Sequence, residues 1–179
     1  VTCGPMFAGK TTSLIQEFRN YGGIILRSSY DVRYSCESVV THNGDEVPAF
    51  TVSSTEDIAH IAKTNDNIFI DEMHFFTKPM FSGDIVDFMK KSSKKFFCYG
   101  LDMDWRGEEF AISKACASAS VHVRKLSGKC SCCSNPSVMT FMHSVKKQES
   151  NLELGHNDIY EPRCYSCWER GMYSRKEVT

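Results

Sequence analysis

The residues best suited to chemistry stand at the start of the chain. Residues 4–11 match the pattern G-x-x-x-x-G-K-[ST] without a gap, between a strand-like run ending at Cys3 and a helix-like stretch from Lys10. In that setting backbone N–H groups surround phosphate oxygens, the lysine reaches the β- and γ-phosphates, and the threonine hydroxyl can hold Mg²⁺. The alternative is a glycine-containing turn that binds nothing, and the agreement of motif with context argues against it. The predicted ATP-binding residues are Gly4, Pro5, Met6, Phe7, Ala8, Gly9, Lys10, Thr11 and Thr12.

Two adjacent carboxylates could complete this site. Asp71 and Glu72 directly follow the apolar run 67–70, which predicts a buried strand. A carboxylate at this position commonly serves the metal of a P-loop protein, so Asp71 is a predicted magnesium ligand. Glu72 would lie at the carboxyl end of the strand, where parallel sheets bind ligands, and could act on a nucleophile. The alternative is a solvated strand end without a chemical role.

Two pairs of cysteines have the spacing of a metal site. Cys130 and Cys133 form one C-x₂-C pair, and Cys164 and Cys167 form the other. Two such pairs can complete a tetrahedral zinc site, which is structural because four protein ligands leave no position for water. Cys132 is an additional thiol that could replace a neighbour in this set.

The distribution of the cysteines also indicates the compartment. The paired cysteines are confined to the last third of the chain, which favours metal binding in a reducing compartment over a disulfide framework. We therefore expect the protein in the cytoplasm. The scattered cysteines are interpreted as buried small hydrophobic residues, and they are Cys3, Cys36, Cys98 and Cys116.

The elements that must position these residues alternate between short apolar runs and helix-like stretches. Apolar runs without polar alternation predict parallel strands that are covered on both faces. The predicted strands are 1–3, 23–27, 47–52, 67–70 and 95–101, and the predicted helices are 10–20, 54–62 and 85–89. After about residue 125 cysteine, serine and polar residues dominate. We predict an α/β P-loop domain with helices on both faces of its parallel sheet over residues 1–125, and a small zinc-containing module with one long loop over residues 126–179.

Charge and hydropathy argue against two classes of partner. The 179 residues include 21 basic and 22 acidic ones, which gives a formal net charge of −1. Proteins that bind phosphate backbones usually have a basic excess, so no nucleic-acid partner is expected. No apolar run approaches the ~20 residues needed to cross a bilayer, and no membrane partner is expected.

Five motifs follow one another along nearly the whole chain. They are residues 4–12, the segment Asp31-Val32-Arg33-Tyr34-Ser35 with Thr41-His42, residues 70–76, residues 100–110, and the cysteine pairs with Tyr160 before the second pair. In this order they resemble the type II (cellular-type) thymidine kinases. The resemblance implies transfer of the ATP γ-phosphate to the 5′-hydroxyl of thymidine, which supplies dTMP for DNA synthesis by nucleotide salvage.

The resemblance also implies roles for individual residues. Glu72 would take the proton from the 5′-hydroxyl, and Arg33 would steady the transferring phosphoryl group. Lys10 would be the third catalytic residue, through its reach to the β- and γ-phosphates. Thr11 and Asp31 would surround Mg²⁺ together with Asp71. The implied thymidine pocket consists of Met6, Phe75, Leu101, Trp105, Phe110, Thr140, Leu154, Gly155 and Tyr160. The resemblance also implies that the P-loop domain is RecA-like and that residues 126–179 form a zinc-containing lasso subdomain. Residues 146–158 would be its lasso loop, which closes over the base with backbone groups.

The resemblance further implies partners and assembly. The cofactors would be ATP, Mg²⁺ and structural Zn²⁺. Thymidine would be the substrate, with deoxyuridine as a candidate second acceptor and dTTP as a feedback inhibitor, and the protein would be a homotetramer.

Some residues depart from the family pattern, and other functions stay open. Trp105 stands where phenylalanine is usual, Ala111 where glycine is expected, and Met73 and His74 where small residues are common. His74 is interpreted as a surface or core histidine, and Phe76 as ordinary core. One rival function is a P-loop ATPase that acts on nucleic acid through a Cys₄ ribbon. Another is a non-catalytic, nucleotide-gated interaction module.

Overall fold

A six-stranded parallel sheet forms the centre of the fold. The computed structural model describes residues 1–31, 38–40, 44, 46–143 and 159–176. In chain order the strands of this part are β1 (Thr2–Cys3), β2 (Ile24–Ser28), β3 (Ser38–Val40), β4 (Glu46–Pro48), β5 (Phe50–Val52), β6 (Asn67–Ile70), β7 (Lys95–Gly100), β8 (Arg124–Lys125), β9 (Gly128–Lys129), β10 (Pro136–Ser137), β11 (Met139–Met142) and β12 (Tyr160–Arg163). The main sheet has the order β5-β2-β6-β7-β1-β8, and all its neighbouring strands run parallel.

Helices cover both faces of this sheet, as predicted. They are α1 (Lys10–Tyr21), α2 (Thr55–Ile61), α3 (Ile85–Lys91), α4 (Ala111–Ala119) and α5 (Tyr165–Lys176). On one face, Leu14 of α1 packs in a cluster with Phe69 of β6. On the other face, Ile58 of α2, Ile85 of α3 and Cys116 of α4 share a second cluster. The predicted P-loop α/β fold is therefore confirmed.

The central strand β6 shows why a continuous apolar run predicts a buried strand. Ile68 and Ile70 belong to one core cluster and Phe69 belongs to the other, and none is more than 1% exposed. A strand that is covered on both faces needs apolar residues at every position. Each such side chain contributes about 1.5–3 kcal/mol when fully buried. The strand thereby fixes the position of the two carboxylates that follow it.

The predicted strand over residues 47–52 is wrong as a single element. Strand β4 instead pairs antiparallel with β3 in a separate hairpin, whereas β5 pairs parallel with β2 in the main sheet. Ala49 separates the two strands, and Pro48 has no N–H to continue a ladder. The hairpin still serves the core, because Val39 and Val47 join the cluster under α1.

The predicted start of α2 is confirmed in detail. The Ser54 side chain accepts a hydrogen bond from the Asp57 amide, and the Asp57 carboxylate accepts one from the Ser54 amide. This capping box provides acceptors for two backbone N–H groups that have no partner within the helix. It explains why the predicted helix 54–62 starts where Ser54 precedes Asp57 by three residues.

The chain beyond β8 forms smaller ladders beside the phosphate-binding loop. Strands β9 and β10 pair antiparallel, as do β11 and β12, and α5 follows β12 directly. The Leu126 amide donates to the Cys3 carbonyl at 2.8 Å, which joins this region to β1. Within the described part of the chain, no helix is both long and apolar enough to cross a membrane.

Candidate functional site

The predicted site residues meet at the carboxyl end of the main sheet. The phosphate-binding loop begins at Gly4 after β1, Asp31 follows β2, Asp71 follows β6, and Leu101 follows β7. These four strands are neighbours in the order β2-β6-β7-β1. Parallel sheets bind ligands at this edge because several strand ends open there side by side.

The phosphate-binding loop has the backbone conformation that its sequence predicts. Gly4 has φ 151°, and a Cβ atom there would overlap the Leu126 carbonyl, so only glycine fits. Phe7 and Gly9 take the left-handed conformation, with φ values of 62° and 80°. This places the N–H groups of the loop in a concave surface at the start of α1, where the helix dipole favours an anion.

The lysine of this loop is held by the loop itself. The Lys10 Nζ donates to the Pro5 carbonyl at 2.7 Å and to the Gly4 carbonyl at 3.2 Å, and the residue is buried. An ammonium group in this place neutralises negative charge that enters the loop. Lys10 is thereby positioned over the same concave surface that the backbone amides line.

The two carboxylates after β6 differ in their surroundings. Asp71 is buried, and its amide donates to the Leu26 carbonyl of β2 at 2.9 Å. Glu72 is partly exposed and has φ 49° and ψ 52°, the left-handed conformation that non-glycine residues rarely adopt. Such strain costs about 1–3 kcal/mol and concentrates at functional sites. The strained backbone turns the chain sharply between the buried strand and the helical turn Met73–Phe75.

Asp31 lies at the end of β2 beside a buried arginine. The Arg27 guanidinium is 3% exposed, lies 3.6 Å from the Asp31 carboxylate and donates to the Asp31 carbonyl. Arg27 also donates to the Ser38 carbonyl at 2.9 Å, which joins β2 to the β3 hairpin. Arg27 was not predicted from the sequence as part of the site. Arg33, the predicted phosphoryl-steadying residue, lies outside the described residues.

An aromatic group lies next to the carboxylates. The His74 ring lies between Phe75 and Phe110, with centroid distances of 4.3 Å and 5.0 Å. Phe75 also contacts Tyr30, at 5.6 Å between ring centroids. The two phenylalanines predicted for the pocket are thus brought together by a histidine. The prediction that Phe76 is core is confirmed, since it is 1% exposed in the cluster beneath the sheet.

Two long-range hydrogen bonds join the sheet to the C-terminal region. The Met6 amide, inside the phosphate-binding loop, donates to the Thr140 hydroxyl of β11 at 3.0 Å. The Trp168 indole of α5 donates to the Trp105 carbonyl at 2.9 Å. Tyr160 pairs with β11 and is buried. Leu154 and Gly155 lie outside the described residues, as does the predicted lasso loop 146–158.

Four cysteines converge as their spacing predicts. The Sγ atoms of Cys130, Cys133, Cys164 and Cys167 all lie within 4.8 Å of one another. The Cys133 Sγ lies 3.6 Å from the Cys164 Sγ and 3.6 Å from the Cys167 Sγ. A tetrahedron with Zn–S bonds of about 2.3 Å has sulfur–sulfur edges of about 3.8 Å, so the geometry fits zinc.

Hydrogen bonding prepares part of this cluster to be thiolate. Burial opposes ionisation of Cys130, but backbone hydrogen bonds from Cys164, Cys132 and Cys133 outweigh it and lower its pKa to about 6. The Arg170 guanidinium, 3.2 Å from the Cys167 Sγ, is the largest cause that lowers the pKa of that thiol. Thiolates are the form that binds metal.

The remaining cysteines separate from the cluster. Cys132 is exposed and does not belong to the converging group, so the suggestion that it could replace a neighbour receives no support from the geometry. The prediction of buried small hydrophobic residues is confirmed for Cys3, Cys98 and Cys116, which pack in the core. Cys36 lies outside the described residues.

Sequence reasoning did not find three contacts of the site. They involve His74, which accepts from the Leu101 amide, Ser113, which donates to the Leu101 carbonyl at 2.6 Å, and Trp168. Each contact joins residues that are far apart in sequence, and none belongs to a contiguous motif. The position of His74 two residues after the acidic pair was the one available signal.

Fold and site together define a P-loop nucleotide-binding protein of the α/β class that carries a Cys₄ cluster. A family model described as thymidine kinase matches residues 1–168 of this chain. The chain therefore belongs to the thymidine kinase family, whose members are transferases that phosphorylate thymidine.

Proposed function

We propose that the chain transfers the γ-phosphoryl group of ATP to the 5′-hydroxyl of thymidine and supplies dTMP by nucleotide salvage. The observation that carries this proposal is that Glu72 lies at the same edge of the main sheet as the phosphate-binding loop. A strained carboxylate after β6 and a phosphate-binding surface after β1 lie at the same edge of the sheet, with β7 between the two strands, and this arrangement suits a reaction between a hydroxyl and a phosphate. Phosphoryl transfer requires positioning and charge neutralisation more than covalent chemistry.

The phosphate-binding loop would hold the triphosphate. Its amides would donate hydrogen bonds to the phosphate oxygens, and Lys10 would exchange its bonds to the Gly4 and Pro5 carbonyls for the β- and γ-phosphates. Arg33 would steady the transferring group. Together these residues would neutralise the charge that develops as the phosphoryl group moves.

Magnesium fits the oxygen donors at this edge. Thr11, Asp31 and Asp71 offer hydroxyl and carboxylate oxygens, which are the ligands that a hard divalent cation prefers. When bound, Mg²⁺ supplies charge neutralisation between the phosphates. The Asp71 backbone amide donates to the Leu26 carbonyl, and the Arg27 guanidinium lies 3.6 Å from the Asp31 carboxylate. These contacts would fix the chain at the two strand ends that carry the carboxylates.

Glu72 would act as the general base. It is the partly exposed carboxylate of the pair, whereas Asp71 is buried. A carboxylate within hydrogen-bond reach of the 5′-hydroxyl can accept its proton as the oxygen attacks phosphorus. The two adjacent acids would thus divide the work between metal and nucleophile.

Residues 126–179 would form the zinc-tied lasso subdomain over the nucleoside pocket of domain 1–125. The Met6–Thr140 and Trp105–Trp168 hydrogen bonds support this arrangement, because both join the two parts next to predicted pocket residues. Phe75, Phe110 and Trp105 would give the base a stacking surface. The other predicted pocket residues are Met6, Leu101, Thr140, Tyr160, and Leu154 and Gly155 of the lasso.

We expect thymidine to be the preferred acceptor in a direct transfer assay. Mg-ATP labelled at the γ-phosphate is incubated with thymidine, deoxyuridine, deoxycytidine, deoxyguanosine or single-stranded DNA, and labelled monophosphate is measured. A site that hydrogen-bonds the correct base can reject another by about 10⁴-fold, because mismatched polar groups stay unpaired. DNA-stimulated ATP hydrolysis with inert thymidine would instead support the nucleic-acid ATPase. Nucleotide binding without any turnover would support the interaction module.

The Trp168 hydrogen bond is expected to tune thymidine binding. Trp168→Phe keeps an aromatic ring but removes the donor to the Trp105 carbonyl. The loss of one hydrogen bond, about 0.5–1.5 kcal/mol, predicts a rise of about 2- to 10-fold in the KM for thymidine. Tyr165→Phe is the control, since Tyr165 is exposed on the same helix. Steady-state kinetics measure the KM for thymidine in both variants, and an unchanged KM in Trp168→Phe would contradict a role of this hydrogen bond in thymidine binding.

Assembly, inhibition and location complete the proposal. We expect a homotetramer by light scattering and inhibition by dTTP, an end product that could lie across the same pocket. A cytoplasmic location is supported by the convergence of the paired cysteines in one metal-type cluster, whose thiolates a reducing compartment would preserve.

A further inference from the structure

His74 contacts more of the candidate site than any role assigned so far explains. It is 2% exposed, and its ring lies between Phe75 and Phe110. Its Nδ1 atom lies 3.2 Å from the Leu101 amide nitrogen and 3.6 Å from the Glu72 Oε2. One side chain therefore touches the proposed base, both aromatic walls and the residue after β7.

The hydrogen bond from Leu101 determines the protonation of the ring. A backbone N–H can only donate, so the Nδ1 atom of His74 must accept and carries no proton. The neutral ring then has its proton on Nε2. In this tautomer the atom nearest the Glu72 carboxylate is an acceptor, so His74 does not donate a hydrogen bond to Glu72.

The same hydrogen bond joins two neighbouring strand ends. His74 follows β6 and Leu101 follows β7, and the contact spans 27 residues of sequence. The Ser113 hydroxyl donates to the Leu101 carbonyl at 2.6 Å, so both polar groups of the Leu101 backbone are held by side chains. The pair provides a rigid support on one side of the sharp turn at Glu72.

That support has a specific consequence for Glu72. A left-handed conformation at a glutamate persists only where the surrounding structure fixes the chain on both sides. The Asp71 amide bonded to Leu26 fixes the turn on its N-terminal side, and His74 bonded to Leu101 fixes it on its C-terminal side. Loss of the second bond would let the turn relax and move the carboxylate.

We infer that His74 is a positioning residue for phosphoryl transfer: by accepting the Leu101 amide at its unprotonated Nδ1 atom, it fixes the backbone turn that places the Glu72 carboxylate. This inference rests on the proposed function, because it assigns His74 to the reaction in which Glu72 is the base. His74 touches the groups that act and does not itself exchange a proton with the substrate.

Two substitutions distinguish the hydrogen-bonding role of His74 from the space that its side chain fills. His74→Leu keeps apolar volume but removes the acceptor, and we expect kcat to fall about 10- to 100-fold, because small displacements of a catalytic group are costly. His74→Gln offers a carbonyl oxygen to the Leu101 amide, and we expect its kcat within about threefold of wild type. The KM for ATP should stay within about twofold in both, because the phosphate-binding loop is untouched. His60→Gln, at an exposed position of α2, is the control for loss of a histidine.

A spectroscopic measurement on the wild-type protein tests the same point without a variant. Long-range ¹H–¹⁵N correlation at neutral pH should show that the histidine signal which His74→Gln removes and His60→Gln keeps carries its proton on Nε2 only. A proton on Nδ1 of His74 would overturn the inference, as would a His74→Leu enzyme with wild-type kcat or a His74→Gln enzyme as slow as His74→Leu. If His74→Leu does not fold, the wild-type tautomer and the His74→Gln kinetics decide.

The outcomes for the two proposals are distinguishable. A wild-type protein that transfers no phosphate to thymidine would refute the proposed function and, with it, the catalytic part of this inference. An active wild-type enzyme whose kcat is unaffected by His74→Leu would refute only the role of His74.

Discussion

Replacement of Glu72 by glutamine is expected to lower kcat for thymidine phosphorylation by about 10²-fold or more. Glutamine keeps the length and the hydrogen-bonding reach of the side chain but cannot accept the proton of the 5′-hydroxyl. ATP binding should persist, because the phosphate-binding loop and Lys10 lie on a different strand end. Steady-state rates together with the affinity for a fluorescent ATP analogue measure both quantities.

The control for this substitution is Glu56→Gln, which neutralises an exposed carboxylate in the first turn of α2. It should leave kcat within about twofold of wild type, since surface substitutions away from a site have small effects. A Glu72→Gln enzyme with more than about a third of the wild-type kcat would remove Glu72 from the role of base. Equal loss of ATP affinity and rate would instead indicate damage to the fold.

The backbone at Glu72 strengthens this prediction. A glycine would take a left-handed conformation without strain, yet the chain holds a glutamate there. Strain of this kind lowers stability and is retained where the side chain is needed at that point. The strained backbone therefore supports the prediction that the side chain at this strand end is functional.

The parts of the site that could be predicted from the sequence are those encoded locally. The phosphate-binding loop could be predicted because glycine, lysine and threonine occur at fixed offsets between a strand and a helix. Asp71 and Glu72 could be placed because they end a run of buried residues. The four cysteines could be grouped because their pairs have metal-ligand spacing. In each case a few consecutive residues determine both the backbone and its chemistry.

The parts that could not be predicted depend on contacts between distant segments. His74 and Leu101 are 27 residues apart, Trp105 and Trp168 are 63 apart, and Met6 and Thr140 are 134 apart. A single histidine in an apolar context gives no indication of which amide it will meet. For the same reason His74 could be interpreted only as a surface or core histidine.

The split of the predicted strand 47–52 has a similar cause. The alternation of apolar residues continues through Pro48 and Ala49, so the pattern by itself reads as one strand. The segment is divided because its two halves pair with different strands: the first half pairs with β3 and the second with β2. Tertiary pairing overrides local propensity in such short segments.

Removal of the zinc cluster is the second large effect that we expect. Cys164→Ser should reduce bound zinc from about one ion per chain to near zero, because three thiolates no longer close the tetrahedron. Thymidine kinase activity should fall by about tenfold or more, since the Thr140 and Trp168 contacts to the nucleoside side of the sheet depend on this region. Elemental analysis measures zinc, and the transfer assay measures activity.

The loss should be local rather than global. Structural zinc contributes about 10–16 kcal/mol to the folding of zinc-finger peptides, which is comparable to the whole stability of a domain. The four cysteines, however, lie outside the two core clusters of the main sheet, whose burial does not depend on the metal. Hydrogen exchange should therefore rise in β11, β12 and α5 of the Cys164→Ser protein, while β6 and β7 stay protected.

The adjacent thiol offers a matched control for the metal site. Cys132→Ser alters an exposed cysteine between two residues of the same turn, outside the converging group, and should leave zinc content and activity unchanged. Wild-type zinc should also be released as the pH falls, because protons compete with the metal for four sulfur atoms. Full zinc in Cys164→Ser, or loss of zinc in Cys132→Ser, would show that a different set of thiols holds the metal. Wild-type activity in a zinc-free protein would show that thymidine phosphorylation does not depend on the cysteine cluster.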